Sequence, residues 1–238
     1  MILLQPRFVN KDVDIFFGTK LNNKSSSQEF IFDYLDHIYK ITNIRRFILM
    51  HQIHGTNIQE IRDTRFLRKR NIYYNIINQT DGLYSSKKGI ALTIKTADCM
   101  PVFIVSGDFA AALHMGWRGA LQKIVYKYIN HITNKIGIGR EKIMVITGPH
   151  IRECCYSVGP EMIKQFKSEG YITSRIFTTK NKTIYLNLES TLREQIIACN
   201  IPKENIFNTS LCTSCLNTLF YSHRKGDKGR NISFIIRK

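Results

Sequence analysis

Short apolar segments of strand length recur along the chain and alternate with amphipathic helical patterns. Three of them, residues 89–96, 101–105 and 109–114, follow one another with only a few residues between them. In the helical pattern that comes next, apolar side chains recur every three or four residues from Leu121 to Ile132, as in a helix with one buried face. Strands and helices interleaved in this way predict an α/β or α+β fold with mixed sheets.

The rest of the chain carries further apolar segments of the same kind. They predict strands at residues 13–17, 46–51, 142–147, 183–188, 219–222 and 232–236. Ser26 and Glu29 have the spacing of a capping box, which predicts that a helix begins there. Residues 60–80 are polar and irregular, so no element is predicted for them. No internal repeat, Pro-rich linker or low-complexity tract divides the chain, and we expect one domain over residues 1–238.

Composition and the apolar pattern indicate the cellular compartment of such a chain. Of its 238 residues, 43% are hydrophobic, which is enough for a sizeable core. No run approaches the roughly 18 apolar residues that a membrane helix needs, and the N-terminus lacks the pattern of a signal peptide. We therefore expect a cytoplasmic protein with no membrane partner. In that reducing compartment the six cysteines are free thiols, metal ligands or catalytic groups.

The formal charge of +17 attracts phosphate groups, whether on a small anion or on a nucleic acid. Lys, Asn and Ile are abundant throughout, as in chains encoded by AT-rich genomes. The basic residues are scattered, and the densest run, residues 65–70, is short. The charge distribution therefore does not indicate nucleic acid as the main ligand.

Three residues of metal-binding type occupy comparable places. His54 follows a predicted strand and precedes a glycine, Cys99 lies between two predicted strands, and His114 ends one before a Gly-rich turn. Strand ends are common positions for functional groups. His, Cys and His are suitable ligands for Zn²⁺, and three protein ligands leave the fourth tetrahedral position for water or substrate. Taken singly, each residue also fits an ordinary structural role.

Several short motifs surround these residues in a fixed order. They are QIHG at 52–55, TDG at 80–82, TADCMP at 96–101, LHMGWRG at 113–119, GP at 148–149, CYSVG at 155–159, CT at 212–213, FYSHR at 220–224 and GR at 229–230. Spanning roughly residues 46–236, they resemble the YfiH-like family, also called the laccase-domain or polyphenol oxidase family. The resemblance implies a single-domain four-layer α/β/β/α sandwich and one catalytic zinc ion, whose ligands map onto His54, Cys99 and His114.

The resemblance also implies an activity. Members of this family are regarded as zinc-containing purine nucleoside phosphorylases that act on adenosine, inosine, guanosine and methylthioadenosine, with adenosine deamination as a second reaction. On this basis the partners are purine nucleosides and phosphate. The sequence is compatible with a monomer and does not determine the oligomeric state. Which nucleoside matters in the cell, and which of the two reactions dominates, does not follow from the sequence.

Candidate catalytic residues come from the chemistry of these reactions. Phosphorolysis needs cations for the phosphate, and Arg118 offers a guanidinium fork in the Gly-rich turn, with Arg224 as a second candidate for substrate binding. Deamination needs a proton shuttle, and Asp98 lies next to Cys99. Asp98 could equally orient a histidine ligand or make a plain structural hydrogen bond.

Three further residues are predicted to contact substrate. Gln52 could bind base or ribose, or satisfy backbone groups at a strand end, and Asp81 could contact substrate or only shape a turn. Lys20 stands where the family usually carries Arg in a Thr-Arg-x-Gly-Gly segment, so it keeps the charge but loses the bidentate fork. Asn22 and Asn23 replace the two glycines of that segment.

Alternative interpretations remain open. Cys99 as nucleophile and His114 as base would make a metal-free Cys-His hydrolase, which leaves His54 unused. A basic nucleic-acid-binding protein is another alternative. A copper oxidase does not fit, because the chain has 7 histidines and no His-x-His pair. Cys154, Cys155, Cys212 and Cys215 can be combined into a structural zinc site, but adjacent cysteines are poor partners for one tetrahedral ion, and the simpler expectation is small buried side chains.

Overall fold

The structure, a computed structural model, describes residues 3–5, 12–21 and 29–238. Its first sheet has seven strands, in the spatial order β1 (Leu3–Leu4), β2 (Val13–Gly18), β16 (Asn231–Arg237), β8 (Ala91–Thr96), β3 (Arg46–Met50), β6 (Ile72–Ile77) and β5 (Leu67–Lys69). Its second sheet has six strands, in the order β15 (Ile206–Asn208), β11 (Ile143–Thr147), β9 (Met100–Ser106), β10 (Phe109–Met115), β7 (Gly82–Ser85) and β4 (Ile58–Glu60). A small third sheet joins β12 (Ser157–Val158), β14 (Thr183–Leu186) and β13 (Phe177–Lys180).

Both large sheets are mixed, as predicted. In the first sheet, β3 runs parallel to β6 and β8, while the other pairs are antiparallel. In the second, β11 with β15 and β4 with β7 are the parallel pairs. The helices of the described residues are α1 (Glu29–Thr42), α2 (Trp117–Leu121), α3 (Ile124–Asn134), α4 (Glu161–Ser168), α5 (Thr173–Ile176) and α6 (Leu188–Ala198).

Three clusters of buried side chains arrange these elements in four layers. One cluster, which includes Tyr34 and Phe234, joins α1 to the outer face of the first sheet. A second, which includes Phe17 and Phe103, lies between the two large sheets. A third, which includes Ile129, joins the second sheet to α3 and α6. Each fully buried side chain of this size contributes roughly 1.5–3 kcal/mol. The order helix, sheet, sheet, helix confirms the predicted α/β/β/α sandwich.

Residues 60–80 differ from their predicted irregular conformation, because β5 and β6 lie there. β6 pairs with β3 on one side and with the short edge strand β5 on the other. Most residues of β5 and β6 are exposed or half-buried. An edge of a sheet that faces solvent tolerates polar side chains, so polarity alone did not exclude strands here.

The strand predicted at residues 219–222 is also absent from the structure of this described segment. The backbone N–H of Tyr221 donates to Asn231 Oδ1 at 2.9 Å, and the Tyr221 carbonyl accepts from Asn231 Nδ2 at 2.9 Å. A side chain therefore satisfies the backbone groups that a neighbouring strand would otherwise pair. Phe220 and Tyr221 are buried in the core, and this burial, not membership of a sheet, accounts for the apolar pattern at these positions.

Helix boundaries differ in one further place. The predicted helix from Leu121 to Ile132 is divided into α2 and α3 by Lys123, whose φ of 61° is left-handed. The capping box at Ser26, and the replacements Asn22 and Asn23, lie outside the described residues, and α1 begins at Glu29. Within the part of the chain that is described, no helix has the length and apolarity to span a bilayer.

Candidate metal centre

The site forms where the chain passes from the first sheet to the second. β8 ends at Thr96, Asp98 turns the chain with a left-handed φ of 86°, and β9 begins at Met100. β9 pairs with β10 so that Pro101 lies opposite His114, which places Cys99 beside the end of β10. Adjacent strands of the second sheet thus bring the Cys99 and His114 side chains together.

His54 completes the group from the loop after β3. The metal-binding atoms of His54, Cys99 and His114 all lie within 4.8 Å of one another. The two imidazole rings are 4.9 Å apart between centroids and tilted by 72°. His114 is buried, Cys99 is half-buried and His54 is exposed. One side of the group therefore faces the core and the other side faces solvent, where a small molecule has access.

Asp81 lies directly behind both histidines and is fully buried. Its Oδ1 is 2.8 Å from His114 Nδ1, which leaves His114 Nε2 for Cys99 or a metal ion. The same carboxylate accepts backbone N–H bonds from Ile53 at 3.2 Å, His54 at 2.9 Å and Gly55 at 2.7 Å. A carboxylate that orients a histidine ligand in this way is a recurrent feature of zinc sites. Four donors from the protein occupy both oxygens, which speaks against the substrate contact predicted for Asp81.

The space between Cys99 and His54 depends on Gly116, for which the sequence predicts no role. A Cβ added there would lie 2.9 Å from Cys99 Sγ and 3.2 Å from His54 Cδ2. Gly116 belongs to the motif at 113–119, immediately before α2. Only a residue without a side chain lets the backbone pass so close to the two ligands.

Charge in the group is already arranged for a cation. Burial raises the pKa of Cys99, but the charge of His114 and hydrogen bonds with His114 and His54 outweigh it and lower that pKa to about 6. Burial lowers the pKa of His114, whereas the Cys99 thiolate and Asp81 raise it to about 9. Asp81 is buried, yet its hydrogen bonds with His114 and Gly55 keep its pKa below the usual value. A metal ion can therefore take the place of the proton on His114.

Tyr156 interacts with the charges around the centre. Burial raises the pKa of Tyr156 well above its usual value, and the charges of Cys99 and Asp98 raise it further, against the opposing effect of Arg118 and Arg224. The Arg224 guanidinium lies over the Tyr156 ring, 5.5 Å from its centroid. Tyr156 belongs to the motif at 155–159, but nothing in the sequence distinguished it from a core residue.

Arg118 is the one predicted cation whose guanidinium has no ion pair or hydrogen bond with another of the described residues. It is exposed on α2 and stacks over the Trp117 ring at 4.4 Å. Arg224, by contrast, donates to the carbonyl of Cys155 at 2.9 Å and to Ser157 Oγ at 2.7 Å. Arg224 therefore holds the segment that carries Tyr156.

The remaining candidates are engaged with protein groups. Lys20 forms an ion pair with Asp227 at 2.9 Å. Gln52 donates to the Lys95 carbonyl and accepts from the Lys95 N–H, each at 2.9 Å. Gln52 therefore pairs with backbone groups at a strand end, which is one of the two roles predicted for it.

Asp98 makes two structural hydrogen bonds rather than lying free in the site. Its Oδ1 accepts from Thr213 Oγ1 at 2.6 Å, and its Oδ2 accepts from the Arg224 N–H at 2.7 Å. Asp98 therefore ties two later segments of the chain to the turn that carries Cys99.

The chain is similar to proteins of known sequence. The family model described as multi-copper polyphenol oxidoreductase laccase matches residues 31–238. "Purine nucleoside phosphorylase YlmD" of Geobacillus stearothermophilus is 29% identical over 203 residues, which are 82% of this chain and 73% of that protein. "Adenosine deaminase RL5", from an unknown prokaryotic organism, is 29% identical over 164 residues, 66% of this chain and 62% of that protein.

A solved structure has the same fold. The crystal structure of YlmD from Geobacillus stearothermophilus matches with a TM-score of 0.82 at 23% sequence identity, over 96% of this chain and 93% of that one. The family model covers all the motifs that surround His54, Cys99 and His114. The chain therefore belongs to the multi-copper polyphenol oxidoreductase laccase family.

Proposed function

We propose that the chain is a zinc-dependent purine nucleoside phosphorylase. It would convert adenosine, inosine, guanosine or methylthioadenosine and phosphate into the free base and the sugar 1-phosphate, with adenosine deamination as a second activity. The observation that carries the proposal is the His54, Cys99 and His114 group, buried on one side and open on the other. Relatives named as a purine nucleoside phosphorylase and an adenosine deaminase supply the substrate class.

Zinc fits this donor set better than the copper in the family's description. Two imidazoles and one thiolate, with Asp81 orienting His114, are the ligands of open tetrahedral zinc sites. Multicopper centres need more histidines than the two found here. Zinc held by these residues would supply Lewis acidity that polarises an atom of the bound substrate.

We assign the phosphate to Arg118. Its exposed guanidinium lies near Tyr156, whereas Lys20 is paired with Asp227 and Arg224 with the segment around Ser157. A planar guanidinium suits the bidentate geometry of phosphate, and stacking on Trp117 limits the freedom lost on binding. The departure of Lys20 from the family's arginine then matters little for phosphate.

Tyr156 and the two aspartates would support the reaction without covalent chemistry. The raised pKa of Tyr156 keeps its hydroxyl protonated at neutral pH, so it can donate a hydrogen bond to the purine or the ribose. Asp81 would position the histidines, and Asp98 would position the segments that carry Thr213 and Arg224. Of the roles considered for Asp98, we thus assign it the structural hydrogen bond and not the proton shuttle.

A second candidate function rests on the Cys99 pKa of about 6 and the His114 pKa of about 9. Without metal these values describe a thiolate and an imidazolium, which is the charge state of a Cys-His nucleophile pair. The hydrolase and the phosphorylase differ in what they require. Only the phosphorylase needs a metal ion and inorganic phosphate.

The proposal is tested by incubating zinc-loaded protein with inosine, with and without inorganic phosphate. We expect hypoxanthine and ribose 1-phosphate in equal amounts, and base release only when phosphate is present. Adenosine should in addition yield some inosine whether or not phosphate is added. Liquid chromatography of the products measures both reactions. Absence of phosphate-dependent base release from all four nucleosides would contradict the proposal.

Replacing Arg118 by alanine should raise the KM for phosphate by about 10- to 100-fold, the equivalent of the 1.5–3 kcal/mol of a charge-assisted hydrogen bond. Deamination of adenosine, which uses no phosphate, should change by less than about threefold in the same variant. Initial rates at varied phosphate concentration measure the first effect. Arg175→Ala, on the exposed surface of α5, is the matched control. An unchanged KM for phosphate in the Arg118 variant would remove Arg118 from the site.

A further inference from the structure

A second group of potential metal ligands lies outside the centre described above. The sulfur atoms of Cys154, Cys155, Cys212 and Cys215 all lie within 4.8 Å of one another. Cys154 and Cys155 are 3.7 Å apart between sulfurs, Cys154 and Cys215 are 3.6 Å apart, and Cys155 and Cys215 are 3.3 Å apart. The expectation that these cysteines are small buried side chains holds for Cys212 and is wrong for Cys154 and Cys215, which are exposed.

These separations suit ligands of one ion. With zinc–sulfur bonds of about 2.3 Å, the sulfurs of a tetrahedral four-cysteine site are about 3.8 Å apart. A disulfide would bring two sulfurs to about 2.05 Å. The three measured separations are thus close to those of a tetrahedral site and far from those of a covalent bond.

Local turns explain how adjacent cysteines reach one point. The N–H groups of Cys155 and Tyr156 both donate to the Arg152 carbonyl, at 2.9 and 3.0 Å, which curls the chain so that two successive side chains point the same way. The objection that neighbouring cysteines are poor partners therefore does not hold for this backbone. Cys212 and Cys215 lie on another turn, closed by the Leu216 N–H on the Cys212 carbonyl at 2.9 Å.

Backbone hydrogen-bond donors surround one of the four sulfurs. The Cys212 sulfur accepts hydrogen bonds from the backbone N–H groups of Arg152 and Cys215. The Arg152 guanidinium interacts with the charges of Cys154 and Cys212. The guanidinium is also paired with Glu189, at 2.9 and 3.1 Å, so the backbone donors are the groups that offset part of the negative charge of four thiolates around one divalent ion.

The two turns are joined to each other and to the first centre. His150 and Cys212 form an isolated parallel β-bridge, and the Thr213 N–H donates to the His150 carbonyl at 3.0 Å. Thr213 also donates to Asp98, while Tyr156 follows Cys155 directly. An ion held by the four sulfurs would cross-link the segments that form the wall of the candidate active site.

We propose that Cys154, Cys155, Cys212 and Cys215 bind a second, structural zinc ion that fixes these two segments behind Tyr156 and Asp98. This site shares no residue with the His54, Cys99 and His114 group, and it stands whether or not the proposed phosphorylase activity is correct. Zinc binding displaces the thiol protons and requires no oxidant or reductant.

The test measures zinc per chain by elemental analysis in the whole protein, purified under reducing conditions and loaded with zinc alone. The Cys99→Ala variant, which leaves the four-cysteine cluster intact, should retain one zinc ion, and its zinc X-ray absorption spectrum should show four sulfur neighbours. Cys154→Ser and Cys215→Ser should each lose one ion relative to the parent protein. Cys199→Ser, a buried cysteine outside both groups, should lose none.

Three outcomes overturn the proposal. One is a folded Cys99→Ala variant whose zinc is absent or bound by fewer than four sulfurs. A second is a parent protein in which mass spectrometry finds the four cysteines oxidised to disulfides, and a third is a parent protein in which elemental analysis finds iron in place of zinc. Because the spectrum is taken on Cys99→Ala, the result does not depend on whether the Cys154 and Cys215 variants fold.

Discussion

Replacing Cys99 by alanine is expected to remove the metal ion from the His54, Cys99 and His114 centre and to lower nucleoside turnover by about 1,000-fold or more. A loss of that size equals about 4 kcal/mol of transition-state stabilisation. Cys99 is the anionic ligand of the group, since its pKa of about 6 leaves it a thiolate at neutral pH. Without it, two imidazoles remain, and one of them is exposed.

The measurement combines initial rates with metal content on the same sample. The variant should contain one zinc ion less per chain than the parent protein and should unfold cooperatively, because alanine fits the space of the cysteine. Cys199→Ala is the matched control, since Cys199 is also a cysteine in the core but lies outside both sulfur-containing groups. Full activity in the Cys99 variant would show that the reaction takes place elsewhere.

His54 separates the zinc enzyme from a metal-free Cys-His hydrolase. Both accounts predict that the Cys99 variant is inactive. In the zinc enzyme, His54→Ala should also lose the metal and most of the activity, and a chelator should inhibit the parent protein until zinc is restored. In the hydrolase, Cys99 and His114 suffice, so chelation should leave the rate unchanged.

Asp81→Asn should weaken zinc binding by about 10- to 100-fold, the usual effect of losing a carboxylate behind a histidine ligand. Asp81 Oδ1 takes donors from His114 and His54, and Oδ2 takes donors from Ile53 and Gly55. In asparagine one of the two oxygens is replaced by an NH₂ group, which is itself a donor. Whichever way the amide is turned, the NH₂ group therefore faces two protein N–H donors and cannot accept from them. We expect a loss of about 2–4 kcal/mol in the free energy of unfolding from the unsatisfied groups.

Competition with a chromophoric chelator measures the zinc affinity, and thermal denaturation measures the stability. A loss of that size corresponds to a fall in Tm of roughly 4–16 °C for a chain of this length. Asp63→Asn serves as control, because the Asp63 side chain is 97% exposed and lies 3.8 Å from Lys87. If zinc affinity and Tm both stayed at parental values, Asp81 would have no positioning role.

The layered fold could be predicted from sequence where apolar patterns were strong. β9 and β10 are almost wholly buried, so each appears as a nearly continuous apolar run. β5 and β6 could not be predicted, since they lie at a sheet edge and expose many of their side chains. Nor could the conformation at Tyr221, because it depends on a side chain ten residues later, Asn231.

The candidate site divides in the same way. His54, Cys99 and His114 could be found because each belongs to a motif and is of a metal-binding type. The positioning by Asp81 was missed, since its contact with His114 spans 33 residues and exists only once β7 and β10 pair. Lys20 forms an ion pair with Asp227, 207 residues away, and no sequence pattern indicates that contact.

The clustering of four cysteine sulfurs could also not be predicted from the sequence. The spacing of Cys212 and Cys215 suggested a metal ligand pair, but the adjacent Cys154 and Cys155 argued against it. That argument assumes an extended backbone, in which successive side chains point to opposite sides. The backbone is not extended here, because it turns at Arg152, and sequence composition does not indicate this turn.

The most direct test of the central claim is an anomalous difference map at the zinc absorption edge, from crystals of catalytically active protein. The proposed centre predicts an anomalous peak within bonding distance of His54, Cys99 and His114, with the fourth coordination position facing solvent. Active crystals with no anomalous peak among those three residues would contradict the proposed mechanism.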